Sequence, residues 1–208
     1  MKKYIQKITH LFKTSETMIT FLLGLIIIGI ISGSLFAVII SKSDQIIVNE
    51  HLDEFLTLIK SNKLNNLDTF LNSISFNYFN ILAIWTLGIS VIGLPIIIFI
   101  FFSKPFVLGF TISTIIKKYG IKGCLLSFAY VFPHYIANIL VFFVLTLFSL
   151  TLSLKMIKSI IKRKTIDFKL VIKKYTYVLF ISLIIILLSS LYETFLMPKA
   201  LNLILKLL

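Results

Sequence analysis

Long uncharged apolar runs constrain this chain more than any other feature of its sequence. Residues 18–40 and 76–103 contain no Asp, Glu, Lys or Arg, and residues 124–154 and 175–197 carry one such side chain between them. A transmembrane helix needs about 20 mostly apolar residues, and a helix satisfies its own backbone hydrogen bonds in hydrocarbon. The sequence therefore predicts an all-α integral membrane helical bundle.

Composition and charge exclude several other classes of protein. Of the 208 residues, 58% are hydrophobic and 14% are charged, whereas soluble proteins are about half apolar and about a quarter charged. This excludes a soluble enzyme, a disordered chain and a secreted disulfide-rich module. The net charge of +13 indicates basic loops that contact membrane lipid, and we expect no nucleic-acid partner. Cys124 is the only cysteine, which excludes an internal disulfide and a CxxC site.

We expect a single membrane domain over residues 1–208 with about five transmembrane helices. Prolines at positions 95, 105 and 133 are expected to break these helices, because proline lacks the N–H of the helical ladder. The expected spans are about 18–40, 76–103, 105–118, 124–154 and 175–197, with an extracytoplasmic segment at 41–75 and a basic cytoplasmic loop at 155–174.

The third span is short, and this leaves two topologies to compare. Residues 106–116 either cross the membrane or form a re-entrant hairpin. Five crossings place most Lys and Arg residues on one side, whereas a hairpin divides them almost evenly. Cytoplasmic loops are the ones enriched in Lys and Arg. The sequence therefore favours five crossings with a cytoplasmic N-terminus.

The polar segment 41–75 contains a predicted amphipathic helix. Leu52, Phe55, Leu56 and Ile59 follow the i, i+3, i+4, i+7 spacing of one helix face, and Asn49 is the expected N-cap. Such a helix can lie on the membrane, cover the bundle or dock a partner protein. The four apolar side chains are therefore candidate partner-binding residues.

Few titratable groups lie within the expected spans. His134 and Asn138 either satisfy backbone groups near Pro133 or take part in function, because ionisable groups inside a membrane are costly. Lys104 is expected to be a loop lysine at a different depth from Glu193. No nucleophile motif, paired carboxylates, metal-ligand pattern or cofactor fingerprint occurs. We expect no enzymatic activity, no cofactor and no metal.

Small residues recur at the spacing that lets membrane helices approach closely. Gly29 and Gly33 form a GxxxG pair, and Gly109 and Ser113 have the same spacing. Either self-association or packing within the chain would use these faces. The candidate helix-packing residues are Gly29, Gly33, Gly88, Gly93, Pro95, Gly109, Pro133, His134 and Asn138.

Residues 85–138 resemble the stage II sporulation protein M family of small polytopic membrane proteins. The resemblance rests on a glycine-proline break, an apolar segment that ends at a glycine, and a proline-histidine pair. The matching residues are Gly88, Gly93, Pro95, Phe106, Leu108, Gly109, Pro133 and His134. The sequence departs from the family pattern at Lys104-Pro105, Tyr135 and Asn138, where the last two stand in place of Gly and Glu in many members.

The resemblance implies a non-enzymatic scaffold at the septum during engulfment in sporulation. Its implied partners are two peptidoglycan hydrolases, an amidase and a lytic transglycosylase. The alternative is a transporter or export-permease subunit that uses the broken helices around Pro95, Pro105 and Pro133, since discontinuous helices form substrate sites in many transporters.

Overall fold

The protein is helical throughout the part of the chain that its computed structural model describes, residues 16–131, 134–162 and 168–207. This confirms the expected all-α membrane bundle. The helices are α1 (Glu16–Ile39), α2 (Lys42–Lys60), α3 (Asn66–Gly88), α4 (Leu94–Tyr119), α5 (Ile121–Val131), α6 (His134–Lys162), α7 (Phe168–Phe195) and α8 (Met197–Leu207).

Helices α1 and α4 run parallel and form the most extensive helix pair of the bundle. Pro105 packs on Gly29 near the middle of α1. Further toward the C-terminal ends of both helices, Ser113 Oγ donates a hydrogen bond to the Ser34 carbonyl, 3.3 Å away. The residue numbers at these contacts increase together along both helices, so the two helices are parallel. Between the end of α1 and the start of α4, the chain therefore returns in the opposite direction as α3.

Helix α3 runs antiparallel to α7 along most of its length. Ser73 contacts Glu193 at one end, and Gly88 contacts Tyr175 at the other. The stretch between Ser73 and Gly88 is about 22 Å long at the usual helical rise, compared with about 30 Å of hydrocarbon. Four other stretches, in α1, α4, α6 and from α7 onward, are long and apolar enough to cross a membrane, and α3 lies beside them as a fifth bundle helix.

The chain does not break at Lys104-Pro105, where the sequence predicts the boundary between two spans. Helix α4 continues through Pro105, and the transporter hypothesis thereby loses one of its three broken helices. The proline ring packs against Gly29, where there is no side chain, and this space accommodates it within the continuous helix. Pro133, the third expected break, lies outside the described residues.

The boundary between α3 and α4 instead falls at residues 89–93. Gly93 closes this turn by donating to the Ser90 carbonyl at 3.3 Å, and a side chain at Gly93 would overlap the Leu87 carbonyl. Pro95 follows in the first turn of α4, where its missing N–H has no helical partner to lose. The expected break near Pro95 is therefore present, but it is a boundary between two helices at the start of α4 and not a kink within one helix.

Two further boundaries differ from the sequence-based expectation. The amphipathic helix begins at Lys42, with Ser41 Oγ accepting from the Asp44 N–H at 3.2 Å, so Asn49 is an interior residue and not the N-cap. The basic segment 155–174, which links two expected spans, is helical where the structure describes it, so these spans reach further than expected: α6 extends to Lys162 and α7 begins at Phe168. Apolar residues such as Ile157 prolong the helix beyond the hydrocarbon length.

Interlocking small residues bring the backbones of α1 and α4 together. A Cβ atom at Gly33 would overlap the Phe106 carbonyl, and one at Gly109 would overlap the Ile30 carbonyl. Ser34 Oγ donates to the Gly109 carbonyl at 3.2 Å across the same contact. The GxxxG face therefore packs within the chain, and self-association stays a prediction.

The main core lies between α3, α6 and α7, with α1 and α4 packed against it. Near one end of this core the Tyr175 hydroxyl lies 2.5 Å from Ser149 Oγ and donates to the carbonyls of Ile84 and Trp85. Ser149 and Gly88 are in contact at the same place, which brings α3 and α6 close together. Hydrogen bonds thus reinforce van der Waals packing where lipid provides no hydrophobic gain.

We predict that Gly33→Ala and Gly109→Ala each destabilise the protein by about 1–3 kcal/mol, because the new methyl group meets backbone that cannot move without separating α1 from α4. The thermal unfolding midpoint in detergent micelles measures this. Gly24→Ala is the matched control on α1, since nothing lies within 4 Å of its Cβ position. Equal midpoints for all three variants would contradict the predicted contact.

Candidate functional site

Three short helices, α2, α5 and α8, form a layer at the end of the bundle where α4 and α7 terminate. We call this layer the end cap. It has its own apolar core, separate from the main core, and that core also receives the last turns of α4. The buried residues of the end-cap core are Leu56, Ile59, Ile115, Leu126, Ala129, Met197 and Leu201.

The amphipathic stripe of α2 faces this core. Leu56 and Ile59 are 8% and 1% exposed, and Leu52 and Phe55 pack beside them as half-buried side chains. Among the three expected roles of the helix, the structure therefore gives it the second, covering the bundle. Leu56 and Ile59 are not free to bind a partner, whereas Leu52 and Phe55 remain accessible from one side.

An apolar groove opens between α2 and the bundle beside these two accessible residues. Its cavity measures about 240 Å³ and is lined by residues of α2, α4, α5 and α8. Phe55 forms one wall and meets the Tyr130 ring edge-on, with 6.0 Å between the ring centroids. Phe110 and Ile115 of α4 form the floor, and His51 lies at the rim.

The outer face of α2 is acidic and exposed. Glu50 and Glu54 lie on this face, and Ile46 and Ile47 flank them there with exposed fractions of 58% and 52%. Glu54 has only a loose ion pair with the exposed His51 ring, at 3.8 Å. The amphipathic pattern predicts which face is buried, but it does not single out this outer face as a candidate surface.

A fourth acid on α2 holds the helix onto the bundle. Asp53 lies 2.5 Å from the Lys118 ammonium of α4 and accepts a hydrogen bond from the Tyr119 hydroxyl at 2.9 Å. Lys118 also donates to the Asn49 carbonyl at 2.7 Å. The hydrogen bonds from Lys118 and then Tyr119 lower the pKa of Asp53 below its ordinary value. Asp53 is therefore ionised, and its carboxylate is already paired with groups of the same chain.

A chain of polar contacts joins Lys104 to Glu193 inside the bundle. The Lys104 ammonium donates to Asn77 Oδ1 at 3.0 Å, Asn77 Nδ2 donates to the Ser73 carbonyl at 3.0 Å, and Ser73 Oγ donates to Glu193 Oε2 at 2.5 Å. The expectation that Lys104 is a loop residue at a different depth from Glu193 is wrong. The reason is that α4 continues through Pro105 and carries Lys104 into its interior.

Aromatic rings complete the surroundings of Lys104. Its ammonium lies 4.4 Å from the ring centroid of Phe142 and 4.6 Å from that of Phe76, which is within cation–π range. Sequence reasoning missed the part played by Asn77 and Ser73. The available signal was a polar residue inside an apolar run, one helical turn from a second polar residue.

His134 lies in an aromatic environment formed by Tyr130, Tyr135 and Tyr192, and it is only 1% exposed. Neither ring nitrogen has a hydrogen-bond partner among the described residues, and the same holds for Asn138 Oδ1. The backbone carbonyl of His134 accepts a hydrogen bond from Ser189 Oγ of α7 at 3.2 Å. The hydrogen bond between α6 and α7 is thus made by the main chain of His134, while its ring stacks on Tyr192 of α7.

Within residues 16–131, 134–162 and 168–207, no three His, Cys, Asp or Glu side chains come together as metal ligands would. The structure thus forms two features, each from residues that are distant in sequence. One is the polar chain from Lys104 to Glu193, and the other is the groove with its acidic outer face.

We predict that Asn77→Leu destabilises the protein by about 1–3 kcal/mol, because it removes the hydrogen-bond acceptor of the Lys104 ammonium. Adding Lys104→Met should recover most of this loss, since no donor is then left unpaired. Unfolding midpoints of the single and double variants form a double-mutant cycle. Asn72→Leu, exposed on the same helix, is the control. Additive effects would contradict the proposed pairing.

A family model described as Stage II sporulation protein M matches residues 17–198, which includes all five bundle helices and the start of the end-cap helix α8. No curated protein matches the chain. No solved structure matches it either. Since the family model covers most of the sequence, the chain belongs to the stage II sporulation protein M family.

Proposed function

We propose that this sporulation-family membrane protein is a non-enzymatic scaffold that holds peptidoglycan hydrolases at the septum during engulfment. The hydrolase classes implied by the family resemblance are an amidase and a lytic transglycosylase. The observation that carries the proposal is the end cap, which presents an acidic helix and an apolar groove at one end of a bundle of apolar helices. A scaffold needs an anchor and an exposed binding surface, and these two parts provide them.

The charge distribution supports placing the end cap outside the cytoplasm. By sequence, segments 1–15 and 155–174, which adjoin the opposite end of the bundle, carry 12 Lys and Arg residues. The end-cap side carries eight Lys residues together with five of the chain's eight acids. Cytoplasmic ends of membrane proteins are enriched in Lys and Arg. We therefore propose a cytoplasmic N-terminus and an end cap on the side of the membrane where peptidoglycan lies.

The only cysteine tests this orientation without any engineering. Cys124 is exposed on α5 of the end cap. We predict that a membrane-impermeant maleimide labels Cys124 in intact protoplasts to the same extent as in permeabilised ones. Cys124→Ser is the control for labelling of other proteins. Labelling only after permeabilisation would place the end cap in the cytoplasm and overturn the proposed orientation.

Deletion of the gene in the sporulating host tests the scaffold role itself. We predict that the mother-cell membrane fails to migrate around the forespore, that the septal wall stays thick, and that fluorescent fusions of the two hydrolases lose their septal position. Membrane dyes and electron microscopy of the septum measure these effects. Complementation by the full chain is the control. Normal engulfment with normal hydrolase positions would overturn the proposed function.

A further inference from the structure

We propose that the groove between α2 and the bundle, together with the acidic outer face of α2, binds a cationic amphipathic segment of an extracytoplasmic partner protein. This inference rests on the proposed function, because it places the end cap outside the cytoplasm. It differs from the sequence-based hypothesis, in which the apolar stripe of α2 was the binding surface. That stripe is largely occupied by the end-cap core.

The groove provides the apolar half of the site. Its cavity of about 240 Å³ has room for a large apolar side chain and is walled by Leu52, Phe55 and Tyr130 over a floor formed by Phe110 and Ile115. Apolar pockets with aromatic walls are where the anchor residues of binding partners are usually buried. An apolar anchor in the groove would also cover the exposed edges of Leu52 and Phe55.

The outer face of α2 provides the electrostatic half. The chain has 8 Asp and Glu residues and a net charge of +13, yet four acids and only two lysines lie on this one helix. Asp53 is paired with Lys118, and Lys42 and Lys60 lie on the same side of the helix as Asp53, which leaves Glu50 and Glu54 as the charges of the outer face. This local excess of negative charge repels anionic lipid headgroups and attracts a basic partner.

Geometry joins the two halves into one surface. Residues 51, 47, 54 and 50 follow one another around α2 from the groove to the outer face, since successive residues are 100° apart on a helix. His51 lines the groove, Glu54 is its ion-pair partner, and Ile47 is exposed beside them. A segment with basic residues next to an apolar anchor matches this order, whereas an acidic or wholly apolar segment does not.

The test uses the full chain in the sporulating host, with the amidase and transglycosylase carrying fluorescent tags. We expect Glu50→Lys/Glu54→Lys to lower their septal recruitment about tenfold, because two favourable charges become repulsive. Glu16→Lys/Asp68→Lys makes the same change in net charge at exposed acids outside α2 and should retain recruitment. Thr111→Trp, which fills the groove, should also lower recruitment, while Ile31→Trp on the lipid-facing side of α1 should not.

The deletion strain separates failure of this inference from failure of the proposed function. If deletion abolishes recruitment but both test variants recruit normally at wild-type protein levels, the site is overturned and the scaffold role stands. If deletion leaves recruitment unchanged, the proposed function itself fails.

A second measurement tests the groove by cross-linking, and its result does not depend on whether the Thr111→Trp variant folds. A benzophenone amino acid replacing Val48, which lines the groove, should cross-link to one of the tagged hydrolases on irradiation. Cross-links only to lipid, or only to a second copy of the chain, would overturn the inference. Loss of the hydrolase cross-link in the Glu50→Lys/Glu54→Lys background would link the groove to the acidic face.

Discussion

The close contact of α1 with α4 is the interaction on which the rest of this structure depends. The two helices run parallel, so the chain must return from the end of α1 to the start of α4 through α3, which runs in the opposite direction, and α6 and α7 then complete the bundle beside α3. Glycines at positions 29, 33 and 109 allow the contact, and the ring of Pro105 fills the space above Gly29. Because Pro105, next to Lys104, packs inside this contact, α4 stays continuous at a position where proline alone would favour a break.

Continuity of α4 in turn creates the buried polar chain. With an interruption at Pro105, Lys104 would reach the membrane surface, but in the continuous helix it lies beside Asn77 and connects through Ser73 to Glu193. A buried charge without partners would be costly in hydrocarbon, so each member of this chain compensates another. The chain ties α3, α4 and α7 together just below the end cap, and it gives the end cap a rigid base.

The end cap gives the helical bundle an exposed polar surface at one end. One face of α2 is used to seal the bundle end, and Asp53 clamps the helix through Lys118. The opposite face is then held at a fixed orientation, with its acids and isoleucines exposed. A scaffold for peptidoglycan hydrolases requires such a surface, and this arrangement is why we assign binding to the groove and outer face and not to the buried stripe.

The sequence by itself determined the all-α class, the apolar helices and the amphipathic character of α2, because hydropathy and 3.6-residue periodicity act locally along the chain. It also carried the family motifs around Gly93, Pro95 and Gly109. Sequence patterns predicted the wrong start for α2, because the Ser41 side chain caps the helix earlier than expected. They also predicted a boundary at Pro105, where packing against α1 keeps the helix continuous.

Only the tertiary structure decided which partners the small residues have, and whether they are in the same chain. It also decided that Lys104 and Glu193 lie within one network, and which face of α2 remains free. These properties depend on the relative depth and direction of helices that are distant in sequence. No local pattern encodes them, since they follow from how five helices pack against one another in a medium that leaves no buried polar group unpaired without cost.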